Sequence, residues 1–237
     1  MNLKCLKREE EKEINLLEGK KYESEELMVP TICKIERKVN STEKTEAIYP
    51  YTDEKGKVLF EIEKRKGEGQ PYYVRYKKEK DNEFEYKLPE GIEIPIYNLT
   101  FVQEAIKNER PIWITEGESK VEALKKIGII ATTVPFKSPN KWNKGYNHFL
   151  EGIKNIIVLV DNDNNSELFA EHTIEELQYL NCSVNIYKIK ISDICSSIKY
   201  GGDIEDLIEI FGDEKVKITL ESIENLLYKG ECLWIIE

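Results

Sequence analysis

The sequence has no long hydrophobic run, no closely spaced pair of cysteines, and fewer basic than acidic residues, with 35 Lys and Arg against 45 Asp and Glu. No apolar stretch is longer than that of residues 156–160, which is far too short to span a bilayer, since this needs about 20 apolar residues in a helix. No zinc ribbon or redox dithiol is predicted, because the cysteines contain no Cys-x-x-Cys pair. Residues 1–8 run directly into charge without the apolar segment of an export signal, so we expect a cytoplasmic protein that contacts no membrane.

The net charge of the chain is −10, which disfavours a uniformly basic surface for nucleic acids. Lys and Arg supply most of the affinity in non-specific binding to phosphates, so any nucleic-acid contact must be local. One local candidate is the stretch 55–80, where nine Lys or Arg residues stand against four Glu. Its tyrosines could stack on bases beside cations that hold phosphates, although an ordinary β-hairpin with a solvated face fits the same pattern. The candidate residues for binding nucleic acid or nucleotide in this stretch are Lys64, Arg65, Tyr73, Arg75 and Lys77.

Changes of composition divide the chain into four predicted segments. Residues 1–45 are rich in Glu and Lys and form an N-terminal extension. Residues 46–98 contain short runs of Tyr, Val, Ile and Phe separated by turn signals, which predicts a β-rich subdomain. Residues 99–200 alternate between strand and helix patterns, and residues 201–237 form a C-terminal helical segment that we expect to pack on one edge of the sheet.

Strands and helices alternate within the third segment. The predicted helices lie near 99–108, 119–127, 142–150 and 167–180, and the predicted strands near 112–115, 129–133, 155–160 and 183–189. Repeated strand–helix–strand units require crossover connections, which predicts an α/β fold with a mainly parallel sheet and helices on both faces. Residues 156–160 are apolar at every position, as in a central strand buried on both sides.

Acidic residues follow two of these predicted strands. Glu116 comes after strand 112–115, and Asp161 and Asp163 come after strand 155–160. Ligands of open parallel sheets bind beyond the carboxyl ends of the strands. If the strands are neighbours, the carboxylates lie within about 6 Å of one another, and each pair repels by roughly 3 kcal/mol at an effective dielectric constant near 20. A hard divalent cation would offset this repulsion. Alternatively, Glu116 caps the following helix and the two aspartates form a surface turn.

These residues resemble the TOPRIM domain of bacterial-type primases, topoisomerases, recombination-repair proteins and some nucleases. That pattern has a glutamate closing one strand, here Glu116, and an Asp-x-Asp closing a later strand, here Asp161-Asn162-Asp163. The resemblance covers about residues 111–189. Within the family the chain is most similar to primases and primase-helicases of phages and mobile elements, on the Pro-Ile-Tyr-Asn-Leu leader at 95–99 and the Gly-Gly-Asp motif at 201–203.

The resemblance implies a TOPRIM, Rossmann-like sheet preceded by a smaller β-rich segment. It implies catalytic residues Glu116, Asp161 and Asp163 that bind Mg²⁺ or Mn²⁺, with Asp203 as a further metal ligand. Asp206 is an outer candidate by the same resemblance. Asp203 and Asp206 fit equally well as ordinary acidic residues at the start of a helix.

Lys120 departs from the family pattern, because bacterial primases carry an acidic residue at this point of the turn. It could reach a phosphate, or it could be a solvated lysine on a helix face. The chain also contains no Walker phosphate loop, so no helicase motor is predicted within it.

The resemblance implies a primase-like, divalent-metal-dependent nucleotidyltransferase in the DNA replication of a phage or mobile element. The expected partners are a single-stranded DNA template, nucleoside triphosphates and a separate replicative helicase. Two alternatives remain open at this point. A TOPRIM nuclease would use the same carboxylates to activate water, and a non-catalytic accessory protein of replication would bind nucleic acid without chemistry.

Overall fold

The structure is a computed structural model that describes residues 44–66, 72–78, 83–135, 142–180 and 183–228. Nearly all of the predicted N-terminal extension, residues 1–45, lies outside these ranges. Part of the basic stretch and the end of the C-terminal segment also lie outside them. Within the described ranges, none of the helices combines the length and the apolar character needed to cross a membrane.

An antiparallel sheet of four strands comes first, and its strands pair in chain order. The strands are β1 (Lys44–Thr52), β2 (Val58–Lys66), β3 (Tyr72–Lys77) and β4 (Phe84–Glu85). Asp53 closes the turn between β1 and β2, because its carboxylate accepts hydrogen bonds from the backbone N–H groups of Lys55 and Lys57, each at 2.9 Å. The prediction of a β-rich N-terminal segment is therefore confirmed.

A second sheet of four parallel strands follows, in the order β6-β5-β7-β8. Its strands are β5 (Ile112–Ile114), β6 (Ala131–Thr132), β7 (Asn155–Val160) and β8 (Asn185–Lys190). The helices are α1 (Leu99–Lys107), α2 (Glu118–Lys126), α3 (Asn164–Leu177), α4 (Ile191–Ile194), α5 (Ile204–Phe211) and α6 (Asp213–Tyr228). A 3-10 helix spans Lys144–Leu150 before β7. α2 connects β5 to β6, and α3 connects β7 to β8.

Strand β7 is buried along its whole length and separates two hydrophobic cores. Ile157 and Leu159 face a core shared with α2, α5, α6 and the antiparallel sheet. Ile156, Val158 and Val160 face a second core formed with α1, α3 and the 3-10 helix. Alternation of side chains along a strand gives each face its own core. The predicted α/β fold, with a mainly parallel sheet covered on both faces, is therefore confirmed.

Three local predictions differ from the structure. The predicted helix at 142–150 is a 3-10 helix, since Gly145 near its start disfavours an α-helix and donates its N–H to the capping side chain of Asn143. Helix α3 starts at Asn164 rather than near 167. Helices α5 and α6 pack on a face of the sheet rather than on its edge, because Leu207, Val216 and Leu220 belong to the core of β5 and β7.

Two tyrosines tie the antiparallel sheet and the leader of α1 to helix α2. The Tyr51 hydroxyl donates to Glu118 Oε1 at 2.8 Å, and the Tyr97 hydroxyl donates to Glu122 Oε1 at 2.9 Å. Tyr51 is fully buried and stacks on Phe60, with ring centroids 4.7 Å apart. Glu118 is only 4% exposed, so its carboxylate depends on hydrogen bonds from the protein.

We expect Tyr51→Phe to lower the free energy of unfolding by about 2 kcal/mol, because a buried carboxylate loses its donor. Urea denaturation measures this change. A double-mutant cycle with Glu118→Met isolates the pair, since Tyr51→Phe should cost much less once the carboxylate is gone. Equal costs in both backgrounds would contradict a stabilising bond between these residues.

Candidate functional site

The order of the parallel strands reverses between β5 and β7, since one crossover runs from β5 to β6 and the other from β7 to β8 on the opposite side. Such a switch point opens a crevice at the carboxyl ends of the two strands. Ile114 pairs with Val158. Glu116 follows Ile114 by two residues and Asp161 follows Val158 by three, so both acids lie at this crevice.

The hydroxyl of Ser166 joins the two acids. Ser166 Oγ lies 3.1 Å from Glu116 Oε2 and 3.0 Å from Asp161 Oδ2. Ser166 is 1% exposed, in the first turn of α3. Our sequence interpretation missed this residue. The signal was available, because a side chain three residues after the helix-capping Asp163 lies in the first turn, beside the end of β7.

Asp163 begins helix α3. Its Oδ1 accepts a hydrogen bond from the backbone N–H of Ser166 at 2.9 Å, and this capping bond explains the early start of the helix. Glu116 has no such role, because the capping position before α2 is occupied by Gly117 and no side chain caps that helix. Gly117 has φ 96°, a conformation that favours glycine, and its N–H donates to Thr133 Oγ1 at 3.2 Å.

Lys120 of α2 reaches into the group of acids. Its ammonium contacts Asp161 Oδ2 directly and lies 3.8 Å from Asp203 Oδ2. The side chain is only 14% exposed, so the interpretation of Lys120 as a solvated lysine is wrong. Burial lowers the pKa of Lys120, but the carboxylates of Asp161, Asp203 and Glu116 outweigh burial and raise it overall. The ammonium is therefore fixed in its charged form.

Asp203 begins helix α5. Its Oδ1 accepts hydrogen bonds from the N–H groups of Glu205 and Asp206 at 2.8 and 3.2 Å, and Asp206 accepts in return from the Asp203 N–H at 3.1 Å. Both residues therefore act as acidic residues at a helix start. Asp206 also binds Lys199 at 2.7 Å, which keeps its carboxylate occupied.

Asn162, the central residue of the Asp-x-Asp motif, fastens the loop that leads to Asp203. Its side-chain amide donates to the carbonyls of Ile198 and Lys199 at 3.1 and 3.0 Å. Its backbone N–H donates to the Gly202 carbonyl at 2.9 Å. A Cβ at position 202 would lie 2.5 Å from a side-chain carbon of Ile198, so this close approach requires glycine.

The carboxylate of Asp161 is buried and only partly satisfied. Asp161 is 5% exposed, and its Oδ1 has no hydrogen-bond partner among the described residues. Burial raises the pKa of Asp161 to about 6 from an ordinary value of 3.8, although Lys120 and Ser166 act in the opposite direction. An unpartnered buried carboxylate oxygen is costly, and it marks a position where a further ligand would fit.

The described residues contain no group of three or more His, Cys, Asp and Glu side chains arranged to hold a metal ion. Glu116 and Asp161 share the Ser166 hydroxyl, while Asp163 accepts from the backbone N–H of Ser166 and Asp203 faces Lys120. The structure therefore brings together Glu116 and Asp161, and it adds Lys120. The chemistry of the donors fits Mg²⁺ or Mn²⁺, which take carboxylate oxygens, and the orphaned Asp161 Oδ1 supplies one.

The predicted binding residues of the antiparallel sheet lie on both of its faces. Lys64 lies on the face of Ile62 and pairs with Glu46 at 3.3 Å. Arg65, Tyr73, Arg75 and Lys77 lie on the opposite face, which turns away from the shared core. The role of these residues in binding stays a prediction.

Two arginines of the outer face are engaged by glutamates of the same sheet. Glu63 Oε2 accepts from Arg65 at 2.9 Å and from Arg75 at 3.1 Å, and Arg75 also binds Glu61 at 2.8 Å. The Arg65 guanidinium lies 4.8 Å from the centre of the Tyr73 ring. Glu63 and Arg65 are 1% and 8% exposed, so the alternative of a hairpin with a solvated face is wrong at these two positions, where opposite charges neutralise each other.

The fold and the geometry of the site define this chain as an α/β protein with acidic residues at the switch point of its parallel sheet. No protein-family model matches the chain, and no curated protein matches it. Solved structures share its fold. The E. coli primase catalytic core matches with a TM-score of 0.56 and 18% identity, over 74% of this chain and 51% of that one.

Two further primases give similar matches. A primase domain from Pseudomonas aeruginosa has a TM-score of 0.55 and 17% identity, over 73% of this chain and 50% of that one. The Aquifex aeolicus primase, with its zinc-binding and RNA polymerase domains, has a TM-score of 0.57 and 18% identity, over 74% and 39%. The chain thus has the fold of bacterial primase catalytic cores, and it spans about half the length of the cores that it matches.

We expect the metal-free chain and its Asp161→Asn variant to differ in the pH dependence of the free energy of unfolding. The folded chain holds a proton on Asp161 between pH 3.8 and about 6, where the unfolded chain has lost it. Stability of the native chain should therefore fall, relative to Asp161→Asn, as pH rises through this window. Urea denaturation in a chelating buffer at several pH values measures the difference.

Asp163→Asn is the matched control, because asparagine also caps a helix and the same charge is removed two residues away. Its stability relative to the native chain should stay nearly constant across that window. Identical pH profiles for the two variants would contradict the assignment of this titration to the buried Asp161.

Proposed function

We propose that this chain is a primase-like, divalent-metal-dependent nucleotidyltransferase that acts in the DNA replication of a phage or mobile element. The observation that carries the proposal is the meeting of Glu116 and Asp161 at Ser166, at the switch point of a primase-type fold. The proposed substrates are nucleoside triphosphates and a single-stranded DNA template in the cytoplasm. One structural neighbour is a primase catalytic domain bound to single-stranded DNA, which supports this choice of template.

We assign Glu116, Asp161 and Asp163 as the catalytic residues that hold Mg²⁺ or Mn²⁺. The bound cation would lower the pKa of an attacking 3′-hydroxyl and neutralise the triphosphate. Ser166 orients two of the carboxylates, and a side chain of this kind supports metal ligands in many proteins. Asp163 would offer its second oxygen while the first continues to cap α3.

The proposed division of labour follows the predicted segments. Residues 99–200 would carry the chemistry as a TOPRIM domain, and residues 46–98 would contact template or triphosphate. Lys77 is exposed at the end of β3, on the same face as the aromatic ring of Tyr73, which supports a contact there with a nucleic-acid strand. A separate replicative helicase would supply the unwinding that this chain has no motif for.

We expect Glu116→Gln and Asp161→Asn to lower the rate of primer extension by more than about 100-fold, and Ser166→Ala by about 10-fold to 100-fold. The assay combines the purified chain with Mn²⁺ or Mg²⁺, a primed single-stranded template and labelled nucleotides. Glu175→Gln, an exposed acid on α3, is the matched control and should retain full activity.

The products of the same assay separate the competing functions. Extended primers support the proposal, and shortened template strands would replace it with a metal-dependent nuclease. Neither product at any metal concentration, together with binding of single-stranded DNA, would replace it with a non-catalytic accessory protein.

We expect Lys77→Gln to weaken binding to single-stranded DNA and to reduce the slope of log affinity against log salt concentration by about 0.7, the value for one phosphate contact. Fluorescence anisotropy with a labelled oligonucleotide at several salt concentrations measures both quantities. Lys107→Gln, an exposed lysine at the end of α1, is the control with the same change of charge. Equal slopes for the two variants would remove Lys77 from the binding surface.

A further inference from the structure

The ammonium of Lys120 lies between the carboxylates of Asp161 and Asp203 and supplies positive charge to both. Its ammonium contacts Asp161 Oδ2 and lies 3.8 Å from Asp203 Oδ2. We infer that Lys120 takes the position of one cation at this site, so that the chain binds a single divalent ion. The inference rests on the proposed function, because it assumes that the remaining carboxylates hold a metal.

The oxygens of Asp203 are already engaged. Oδ1 accepts two backbone hydrogen bonds at the start of α5, and Oδ2 faces the Lys120 ammonium. A divalent ion on Asp203 Oδ2 would have to bind directly beside the Lys120 ammonium. The family resemblance predicted Asp203 as a metal ligand. In this chain we infer that Asp203 is instead an ion-pair partner of Lys120.

The oxygens of Asp161 are divided between two neighbours. Oδ2 receives Lys120 and the Ser166 hydroxyl, whereas Oδ1 is buried and has no hydrogen-bond partner in the described part of the chain. One oxygen of this carboxylate is thus left for a divalent ion, together with Glu116 on the other side of Ser166. That is enough for one ion completed by water and phosphate oxygens.

Helix α2 holds Lys120 in this position. Glu118 and Glu122 flank Lys120 in the sequence and are bound by Tyr51 and Tyr97. Residues two apart in an α-helix point about 200° away from each other, so these bonds secure the side of α2 opposite to Lys120. The helix therefore cannot turn Lys120 out of the site without breaking both bonds.

Charge repulsion opposes a second divalent ion. The carboxylates of Glu116, Asp161, Asp163 and Asp203 carry four negative charges and Lys120 carries one positive charge, so one divalent ion leaves a net charge of −1 and a second would reverse it to +1. A second divalent ion would have to bind beside the ammonium of a side chain that is only 14% exposed, where solvent screens charge poorly. Repulsion between the two cations opposes that second binding event.

Counting bound Mn²⁺ tests the inference without any need for activity. Titration calorimetry and electron paramagnetic resonance of free Mn²⁺ should give one ion per native chain. Lys120→Gln and Lys120→Glu vacate the position and should each bind a second ion, more tightly for the carboxylate variant. Lys126→Gln, an exposed lysine on the same helix, should bind one ion, like the native chain.

Two different results would overturn the inference. Two ions on the native chain, or a single ion on both Lys120 variants, would show that Lys120 does not replace a cation, and the proposed function would stand. Absence of Mn²⁺ binding by the native chain would overturn the proposed function and the inference together. If Lys120→Glu does not fold, Lys120→Gln decides the outcome, because it keeps most of the side chain and adds no charge.

Discussion

The site depends on one constraint, which is that a carboxylate buried at the end of a central strand needs countercharge. Asp161 directly follows β7, the strand with both faces covered, and it is 5% exposed. Water cannot stabilise its charge there, so its neighbours must do so. Ser166 offers a hydroxyl, Lys120 an ammonium, and the proposed metal would complete the set.

Several features of the fold follow from this need. The first turn of α3 must start directly after Asp163 for Ser166 to reach back to Asp161, and the capping bond of Asp163 sets that start. Lys120 reaches the site from α2, so α2 has to be held in place. The hydroxyls of Tyr51 and Tyr97 do this by binding Glu118 and Glu122. Asn162 fixes the loop that carries Asp203 to the other side of Lys120. Structural and candidate catalytic roles therefore overlap in the same few residues.

The sequence could predict those parts of the fold that depend on local pattern. Five consecutive apolar residues before Asp161 specify a buried strand, and alternation of strand and helix specifies a parallel sheet. Glu116 and Asp161 could be paired because both follow strands whose carboxyl ends share one edge. The contact of Lys120 with Asp161 could not be predicted, since it depends on the orientation of α2 above β7 and on a long flexible side chain. The Glu63–Arg65–Arg75 cluster was missed because the charges of a buried ion group look like those of a solvated strand.

The hydrogen bond from Tyr51 to Glu118 has a consequence for how the chain can be divided. Tyr51, Phe60 and Ile62 belong to the same hydrophobic cluster as Trp113 and Ile157 of the parallel sheet. A recombinant fragment that starts at Leu99 would expose the apolar surface that these side chains cover and would lose the hydroxyl donors of Glu118 and Glu122. The change of amino-acid composition near residue 98 therefore does not separate two hydrophobic cores, and we expect a soluble fragment to include β1 and β2.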